Sequence, residues 1–243
     1  MKQGRRGFLE RAGLLPAALA LGGLPLTARA ASAGGERLKI GIVGSGRVGG
    51  TLGGVWARAG HQVMFSSRSL ENDRALAART GPNASAGTPR EAAAFGEVMV
   101  VSVPYGALPE VGKELADLIR GKVLIDTCNP FVGRDGEIAS WAREKGAGLA
   151  SAELLPGARI VRAFNAIGYA RMGMAHEQPG RIGMPIAGDD AQAIELASRL
   201  VRDIGFEPVL VGGLAKGRHL MPGTPLAGER TPDEVRRIAA TLD

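Results

Sequence analysis

The stretch Leu38-Lys39-Ile40-Gly41-Ile42-Val43-Gly44-Ser45-Gly46-Arg47-Val48-Gly49 decides how the rest of the chain is read. Its first six residues form a short, mostly apolar run, the pattern of a buried strand. Three glycines follow at the spacing Gly-x-Gly-x-x-Gly, and Val48–Ala59 then sets Leu52, Val55 and Trp56 at helical intervals before Gly60. Strand, glycine loop and helix in that order predict a dinucleotide-binding turn. Gly44 is expected to permit the tight turn, Gly46 to let the backbone approach a pyrophosphate, and Gly49 to bring helix and strand together. The unpaired N–H groups and positive dipole end of the helix would then face the phosphates. A glycine-rich turn without a ligand is the plain alternative.

Downstream, His61–Ser66 reads as a second strand ending in Ser66-Ser67-Arg68-Ser69. Sites that prefer NAD place an acid about 20 residues after the loop, on the ribose 2′-hydroxyl. Hydroxyls and a guanidinium at that position suit a 2′-phosphate instead, through charge-assisted hydrogen bonds, and point to NADP(H). Arg68 as a solvated turn residue is the competing reading, and Arg47 serves either the phosphates or the surface. Glu97–Val103 is a further strand; Val103-Pro104 at its carboxyl edge falls where ligands of open α/β sheets sit.

The pattern continues with helices at Leu70–Thr80, from Thr88 through Ala94, and at Leu108–Arg120, and a strand at Lys122–Asp126. Then come a strand at Arg159–Phe164, a turn or short helix at Ala166–Met174, a strand at Arg181–Ala187, a helix at Asp190–Asp203 and a strand at Glu207–Val211. Thr88 with Glu91, and Thr231-Pro232 with Glu234, read as capping boxes. Such alternation predicts an α/β protein, a Rossmann-type doubly wound and mainly parallel sheet with helices on both faces.

Composition narrows the function. Hydrophobic residues at 45% and charged residues at 22% are ordinary for a globular protein. The net charge is +6, but residues 1–30 carry Lys2, Arg5, Arg6, Arg11 and Arg29 against Glu10, so most of the excess lies there. What remains is too weak for a nucleic-acid footprint, and aromatics at 4% supply no stacking platform. A single cysteine, Cys128, excludes an internal disulfide and Cys-rich zinc or iron–sulfur sites.

The first thirty residues read as a targeting signal. Met1–Arg6 is basic, Ala12–Leu26 is mildly apolar and broken by Pro16 and Pro25, and Ala28-Arg29-Ala30 is a small-residue cleavage pattern. Arg5-Arg6-Gly7-Phe8-Leu9 resembles a bacterial twin-arginine (Tat) signal, with Gly4 and Glu10 departing from the usual pattern. That pathway exports folded proteins with their cofactors inside, so a periplasmic or otherwise exported location is expected, with the Tat machinery as a partner. An ordinary Sec signal, or a basic tail on a cytoplasmic protein, are the other readings. No later segment is long and apolar enough to span a membrane.

Several further motifs occur in order: Asp126-Thr127-Cys128-Asn129-Pro130, Val161-Arg162-Ala163-Phe164-Asn165, Pro185-Ile186-Ala187-Gly188-Asp189, Gly205-Phe206-Glu207-Pro208-Val209 and Gly217–Thr224. With the glycine loop and Ser66-Ser67-Arg68, they make the chain resemble the coenzyme F420-dependent NADP oxidoreductase family from Leu38 to Leu226. The same set resembles the reductase domain of the six-transmembrane epithelial-antigen metalloreductases. The resemblance implies a Rossmann domain with a small C-terminal lobe, giving boundaries of 1–30 for the leader, 31–37 for a linker, 38–165 for the NADP domain and 166–243 for the lobe. It implies NADP(H) as cofactor, coenzyme F420 or FMN/FAD as small-molecule redox acceptor, and, in many members, a homodimer. It places Asn129-Pro130 and Ala163–Ile167 along the nicotinamide and the second ring. Asn165 and Ile167 are then the expected ring-contacting residues, with Asn129 on the carboxamide or ribose. Asn165 stands where some deazaflavin-using members carry His, and capping of the next turn is its alternative role.

The remaining chemistry-bearing residues read as structural first. His61 sits in a helix-to-strand turn, His176 in a Gly- and Met-rich loop, and His219 within reach of a second substrate. Cys128 reads as a buried small residue ahead of a reactive thiol. Asp189 and Asp190 read as a helix start, not a metal site, and no metal is expected. Three functions stay open: hydride exchange between NADP(H) and a flavin-like acceptor; direct reduction of a metal ion or a small carbonyl or imine; and a non-catalytic NADP(H) sensor.

Overall fold

Apolar runs separated by turn residues generate the sheet. The computed structural model describes residues 36–242; the expected leader at 1–30 and most of the expected linker lie outside the described residues. The first half alternates regularly: β1 (Lys39–Val43), α1 (Arg47–Arg58), β2 (Gln62–Ser66), α2 (Leu70–Thr80), β3 (Ala84–Ala86), α3 (Pro89–Phe95), β4 (Val98–Val101), α4 (Leu108–Glu114), α5 (Ala116–Ile119) and β5 (Val123–Asp126). The second half contains α6 (Val132–Asp135), α7 (Glu137–Lys145), α8 (Ala147–Leu154), β6 (Arg159–Arg162), α9 (Tyr169–Met172), β7 (Gly183–Gly188), α10 (Ala191–Asp203), β8 (Glu207–Gly212) and α11 (Pro232–Ala239).

Among the described residues the strands form one sheet in the order β3-β2-β1-β4-β5-β6-β7-β8. All neighbours are parallel except β6 and β7, where Val161 faces Gly188 and Arg162 faces Ala187 in antiparallel register. The expected α/β doubly wound architecture is therefore present. Residues 166–242, expected as a C-terminal lobe, add β7 and β8 to this same sheet, and the expected boundary at 165/166 falls between β6 and β7.

Burial on both faces explains why the strands are continuous apolar runs. In β4, Val98 and Val100 join one core cluster while Met99 and Val101 join the other. β5 repeats this with Val123 and Ile125 against Leu124, the period of two that a strand imposes. On the first face Trp56 of α1 donates its indole N–H to the Leu200 carbonyl of α10 at 2.8 Å, tying together helices 144 residues apart. On the second face Tyr105, Leu108, Leu115 and Leu155 pack beneath β4 and β5.

Both predicted capping boxes are present, at Thr88–Glu91 and Thr231–Glu234. The single helix expected at Leu108–Arg120 is two, because Leu115 leaves helical geometry (φ −107°, ψ 9°) where it enters the core. Residues 132–154, for which the pattern offered no assignment, form α6, α7 and α8. Gly136 and Gly146 separate them with left-handed φ of 62° and 96°.

Candidate functional site

The glycine loop sits at the carboxyl end of β1, where the strand order turns between β1 and β4. Gly44 has φ 100°, and a Cβ there would meet the Ser102 carbonyl oxygen at 2.3 Å. A Cβ on Gly49 would meet the Gly44 carbonyl oxygen at 2.1 Å, so α1 approaches β1 only because this residue is glycine. Gly46 is different: a Cβ would meet no atom within 4 Å, so its face is open. Gly46 caps α1 with no side-chain hydrogen bond, and no acid occupies the first turn. The N-terminus of α1 therefore keeps unpaired N–H groups and its positive dipole for an external anion. These features fit a dinucleotide pyrophosphate.

A cleft of about 760 Å³ opens beside the loop, and Gly44, Gly46, Ser67, Arg68, Val103 and Pro104 all contribute to its wall. Six expected cofactor residues thus meet in one cavity. Arg68 is exposed on that wall, and Glu110 and Glu114 of α4 lie on it as well. Ser45 and Arg47 line a shallower hollow of about 350 Å³ on the α1–α2 side, together with Arg79. Arg47 also lies 5.7 Å from the Tyr169 ring, which joins the loop to α9. Val48 packs partly buried against the core. Ser66 is wholly buried; its hydroxyl donates to the Ile42 carbonyl at 2.6 Å, and its own carbonyl accepts from Gly44 and Ser45 N–H at 2.9 and 3.0 Å. Its side chain shapes the loop from beneath and does not reach the cleft.

The second expected group lies at the ends of β5 and β6. Asp126 and Arg162 form an ion pair at 2.5 Å with both side chains fully buried. Arg162 also donates to the Cys128 carbonyl at 3.0 Å, and the Cys128 N–H donates to Asp126 at 2.8 Å. Asn129 donates to the Asn165 carbonyl at 2.8 Å, and Asn165 donates to the Cys128 carbonyl at 3.3 Å. The segments 126–129 and 162–165 are thus laced by polar side chains. Among the described residues, the buried Asn165 Oδ1 has no hydrogen-bond partner. Pro130 and Ala163 are buried in this seam, while Ile167 is partly buried and packs against the core.

Phe164 stands between them with φ 66°, the one non-glycine residue with positive φ among the described residues. Its ring sits edge-on between Trp56 at 5.8 Å and Phe206 at 6.0 Å. Such a backbone conformation costs about 1–2 kcal/mol, and the aromatic packing holds it in place. The consequence is that the chain turns sharply just before Asn165.

Several other candidates are held in the packing of the fold. Burial pushes the Cys128 thiol well up from its ordinary value, so the thiolate a nucleophile needs is suppressed. Burial likewise raises the Tyr105 phenol, whose oxygen lies 3.2 Å from both the Ala147 carbonyl and the Ser151 hydroxyl. His61 accepts from the Leu38 N–H at 3.3 Å and meets Asp203 at 3.0 Å. His176 is exposed in a 3-10 turn at Ala175–Glu177, and His219 ends another at Leu214–His219. Asp190 caps α10, and Asp189 accepts from the Leu214 N–H at 2.9 Å. Among the described residues no group of His, Cys, Asp and Glu is placed to hold a metal ion, and no helix is long and apolar enough to cross a membrane.

Two residues escaped the sequence reading. Asp73 is buried between the glycine loop and the β2–α2 turn, hydrogen-bonded to Ser45 and Ser67. Its signal was weak: an acid in the first turn of a helix ordinarily answers the dipole from solvent. Arg162 gave no signal either, because a cation within a strand reads as surface-facing until its partner across the sheet is known.

A mainly parallel sheet with a glycine loop, an open helix N-terminus and an arginine on the adjoining cleft wall defines a dinucleotide-dependent oxidoreductase of the Rossmann type. Comparison makes this specific. The family described as NADP oxidoreductase coenzyme F420-dependent matches residues 39–130. The F420-dependent NADP reductase of Methanothermobacter thermautotrophicus is 30% identical over 205 residues, which cover 78% of this chain and 87% of that protein. The chain belongs to this family of NADP-dependent oxidoreductases. Rat metalloreductase STEAP3 is 31% identical over 188 residues, but the chain spans only 36% of its length. Among solved structures, a hypothetical protein from Sinorhizobium meliloti superposes with a TM-score of 0.67 at 22% identity, covering 81% of this chain and 96% of that one. A putative F420-dependent NADP reductase from Arthrobacter gives 0.59 at 21% identity, covering 74% and 87%. At these identities the structures speak for the fold alone.

Proposed function

We propose that this protein exchanges a hydride between NADP(H) and a deazaflavin or flavin-type acceptor. The observation that carries the reading is the open, uncapped N-terminus of α1 beside Arg68 in one cleft, in a chain 30% identical to an F420-dependent NADP reductase. When bound, the nicotinamide supplies the hydride at its C4. The chain's own residues bind and orient. Gly46 and the first turn of α1 take the pyrophosphate, Arg68 answers the 2′-phosphate, and Val103-Pro104 form the wall beneath the adenosine half. Asn129 and Asn165, fixed to each other and to the Cys128 carbonyl, stand at the nicotinamide end, with Ile167 as an apolar contact. Alignment of this kind supplies much of the acceleration in hydride transfer, which needs no acid–base dyad.

The test is NADPH oxidation by the purified protein, with coenzyme F420, FMN, FAD and a ferric chelate as parallel acceptors. Turnover that depends on F420 or a flavin, and falls in Asn165→Ala with NADPH affinity kept, supports the reading. Turnover on ferric chelate alone favours the direct metal reductase, a reading that the likeness to a metalloreductase supports. Tight NADPH binding with no turnover on any acceptor leaves the sensor.

We also propose export through the twin-arginine route, supported by Arg5-Arg6-Gly7-Phe8-Leu9 and the Ala28-Arg29-Ala30 pattern. Changing Arg5→Lys and Arg6→Lys together should trap the protein in the cytoplasm of a fractionated bacterial host; unchanged export would point to the Sec route.

A further inference from the structure

Between α1 and α2 lies the hollow of about 350 Å³, which shares Gly46 with the dinucleotide cleft but takes in neither Ser67 nor Arg68. Arg47, Gly50 and Thr51 line it from α1, and Asn72, Leu76 and Arg79 from α2. Both sets recur at steps of three and four residues, so each is one face of its helix. Gly50 keeps the floor open: a Cβ there would meet Leu76 Cδ2 at 3.3 Å and the Ser45 carbonyl oxygen at 2.9 Å.

No acid lies on the wall of this hollow. Arg47 and Arg79 are exposed, and among the described residues neither is in an ion pair. Asp73, bonded to Ser45, is wholly buried and takes the Ser45 and Ser67 hydroxyls in place of a guanidinium. The hollow therefore presents two guanidiniums without a counter-ion, with the Asn72 amide and the Thr51 hydroxyl beside them, a donor set for an anion.

The same hollow adjoins the segment that leads out of the β6 end. Arg47 lies 5.7 Å from the Tyr169 ring, which is 42% exposed and two residues beyond Ile167. A Cβ on Gly173, the residue after α9, would lie 3.3 Å from the Thr51 methyl. Tyr169 and Arg47 thus connect the expected ring contact at Ile167 with the hollow. The phosphates of the dinucleotide are met elsewhere, by Gly46 with the first turn of α1 and by Arg68. The anion left for Arg79 is one carried by the second substrate.

We propose that the α1–α2 hollow binds the anionic tail of the acceptor, a phosphate or carboxylate group on the side chain of a flavin-type ring, and that Arg79 selects for it. The inference rests on the hydride exchange proposed above and names the substrate class within it: acceptors with a charged tail are preferred to the same ring on a neutral chain.

The experiment measures kcat/KM on the full chain at saturating NADPH with two matched pairs of acceptors: coenzyme F420 against its tail-free riboside, and FMN against riboflavin. In at least one pair the charged member should be preferred about tenfold, the worth of one charge-assisted hydrogen bond. The pair that shows the preference names the tail. Arg79→Ala should cut the preference to within about twofold through KM, and 1 M salt should do the same because the contact is exposed. Arg79→Lys, which keeps the charge, should retain part of it. The dissociation constant of NADPH should stay within about twofold in both variants. Equal use of charged and neutral acceptors by the unaltered chain, a parallel loss for both members of a pair in Arg79→Ala, or a tenfold weakening of NADPH in that variant overturns the inference, the last by giving the hollow to the dinucleotide. If NADPH binds but none of the four acceptors is reduced, the proposed hydride exchange is wrong and the inference falls with it; turnover without a tail preference removes the inference alone.

Discussion

The two ends of the candidate site are built on opposite principles. At the β1 end the open groups are backbone N–H groups and one exposed guanidinium: Gly46 is open, α1 is uncapped, and Arg68 is exposed. At the β5–β6 end the groups are side chains sealed from solvent: Asp126, Arg162 and Asn165 are all buried and tied to one another or to the Cys128 carbonyl. A phosphate is bound through charge and N–H groups that tolerate solvent. A ring that must meet a second ring, as the proposed function requires, needs fixed placement of the kind that a buried polar network gives.

Breaking the sealed end should have the largest effect. Arg162→Met leaves Asp126 as an uncompensated buried charge and should cost about 3–5 kcal/mol of stability in chemical denaturation. The preference between NADPH and NADH, set at the other end, should not move; a shift in that preference would mean that the two ends are coupled. The converse change acts on the open end. Arg68→Glu should weaken NADPH binding about 10- to 100-fold with little change in NADH binding or in the denaturation midpoint, since Arg68 is exposed and removing its charge leaves no buried group unpaired. An equal loss for both dinucleotides would place Arg68 away from the 2′-phosphate.

A third region sharpens the contrast by its response to pH. Burial holds His61 below its ordinary value of 6.5, against the pull of Asp203 and with a small push from Arg199. Its Nδ1 accepts the Leu38 N–H, so the folded state uses the neutral ring. The unfolded chain therefore takes up the proton at higher pH than the folded one. The stabilisation is full above pH 6.5 and is lost as pH falls through the lower folded value, by at most about 1.4 kcal/mol per pH unit. Denaturation between pH 7.5 and 5 should show this loss, and His61→Gln should flatten it; an unchanged slope would assign the pH response to other groups. The smallest expected effect is Thr88→Ala, which removes the cap of α3 and should cost about 0.5–1 kcal/mol, with no change in cofactor binding.

Much of the β1 end was legible in sequence because its determinants are local. The three glycines, the strand before them and the helix after them lie in one stretch from Lys39 to Arg58, and Gly44 and Gly49 make the tight turn and the close helix–strand approach that their spacing predicted. Ser67 and Arg68 reach the same cleft because β2 pairs directly with β1. Ser66 reads the same way in sequence, yet strand alternation turns it inward onto Ile42. At the β5–β6 end the motifs were visible but their physics was not. Nothing in Val161-Arg162-Ala163-Phe164-Asn165 announces that Arg162 finds Asp126, 36 residues earlier, or that Phe164 takes a left-handed φ.

The sequence by itself determined the class of fold, the helix caps, the glycine loop and the family, because these depend on periodicity and short-range chemistry carried by neighbouring residues. Only the tertiary structure decided that β7 joins the sheet antiparallel to β6, that Asp126 and Arg162 neutralise each other in the core, and that Asp73 holds the hydroxyls of two separate loops. Each of these depends on groups brought together across many residues of chain, where burial turns an ordinary surface charge into one that must find a partner.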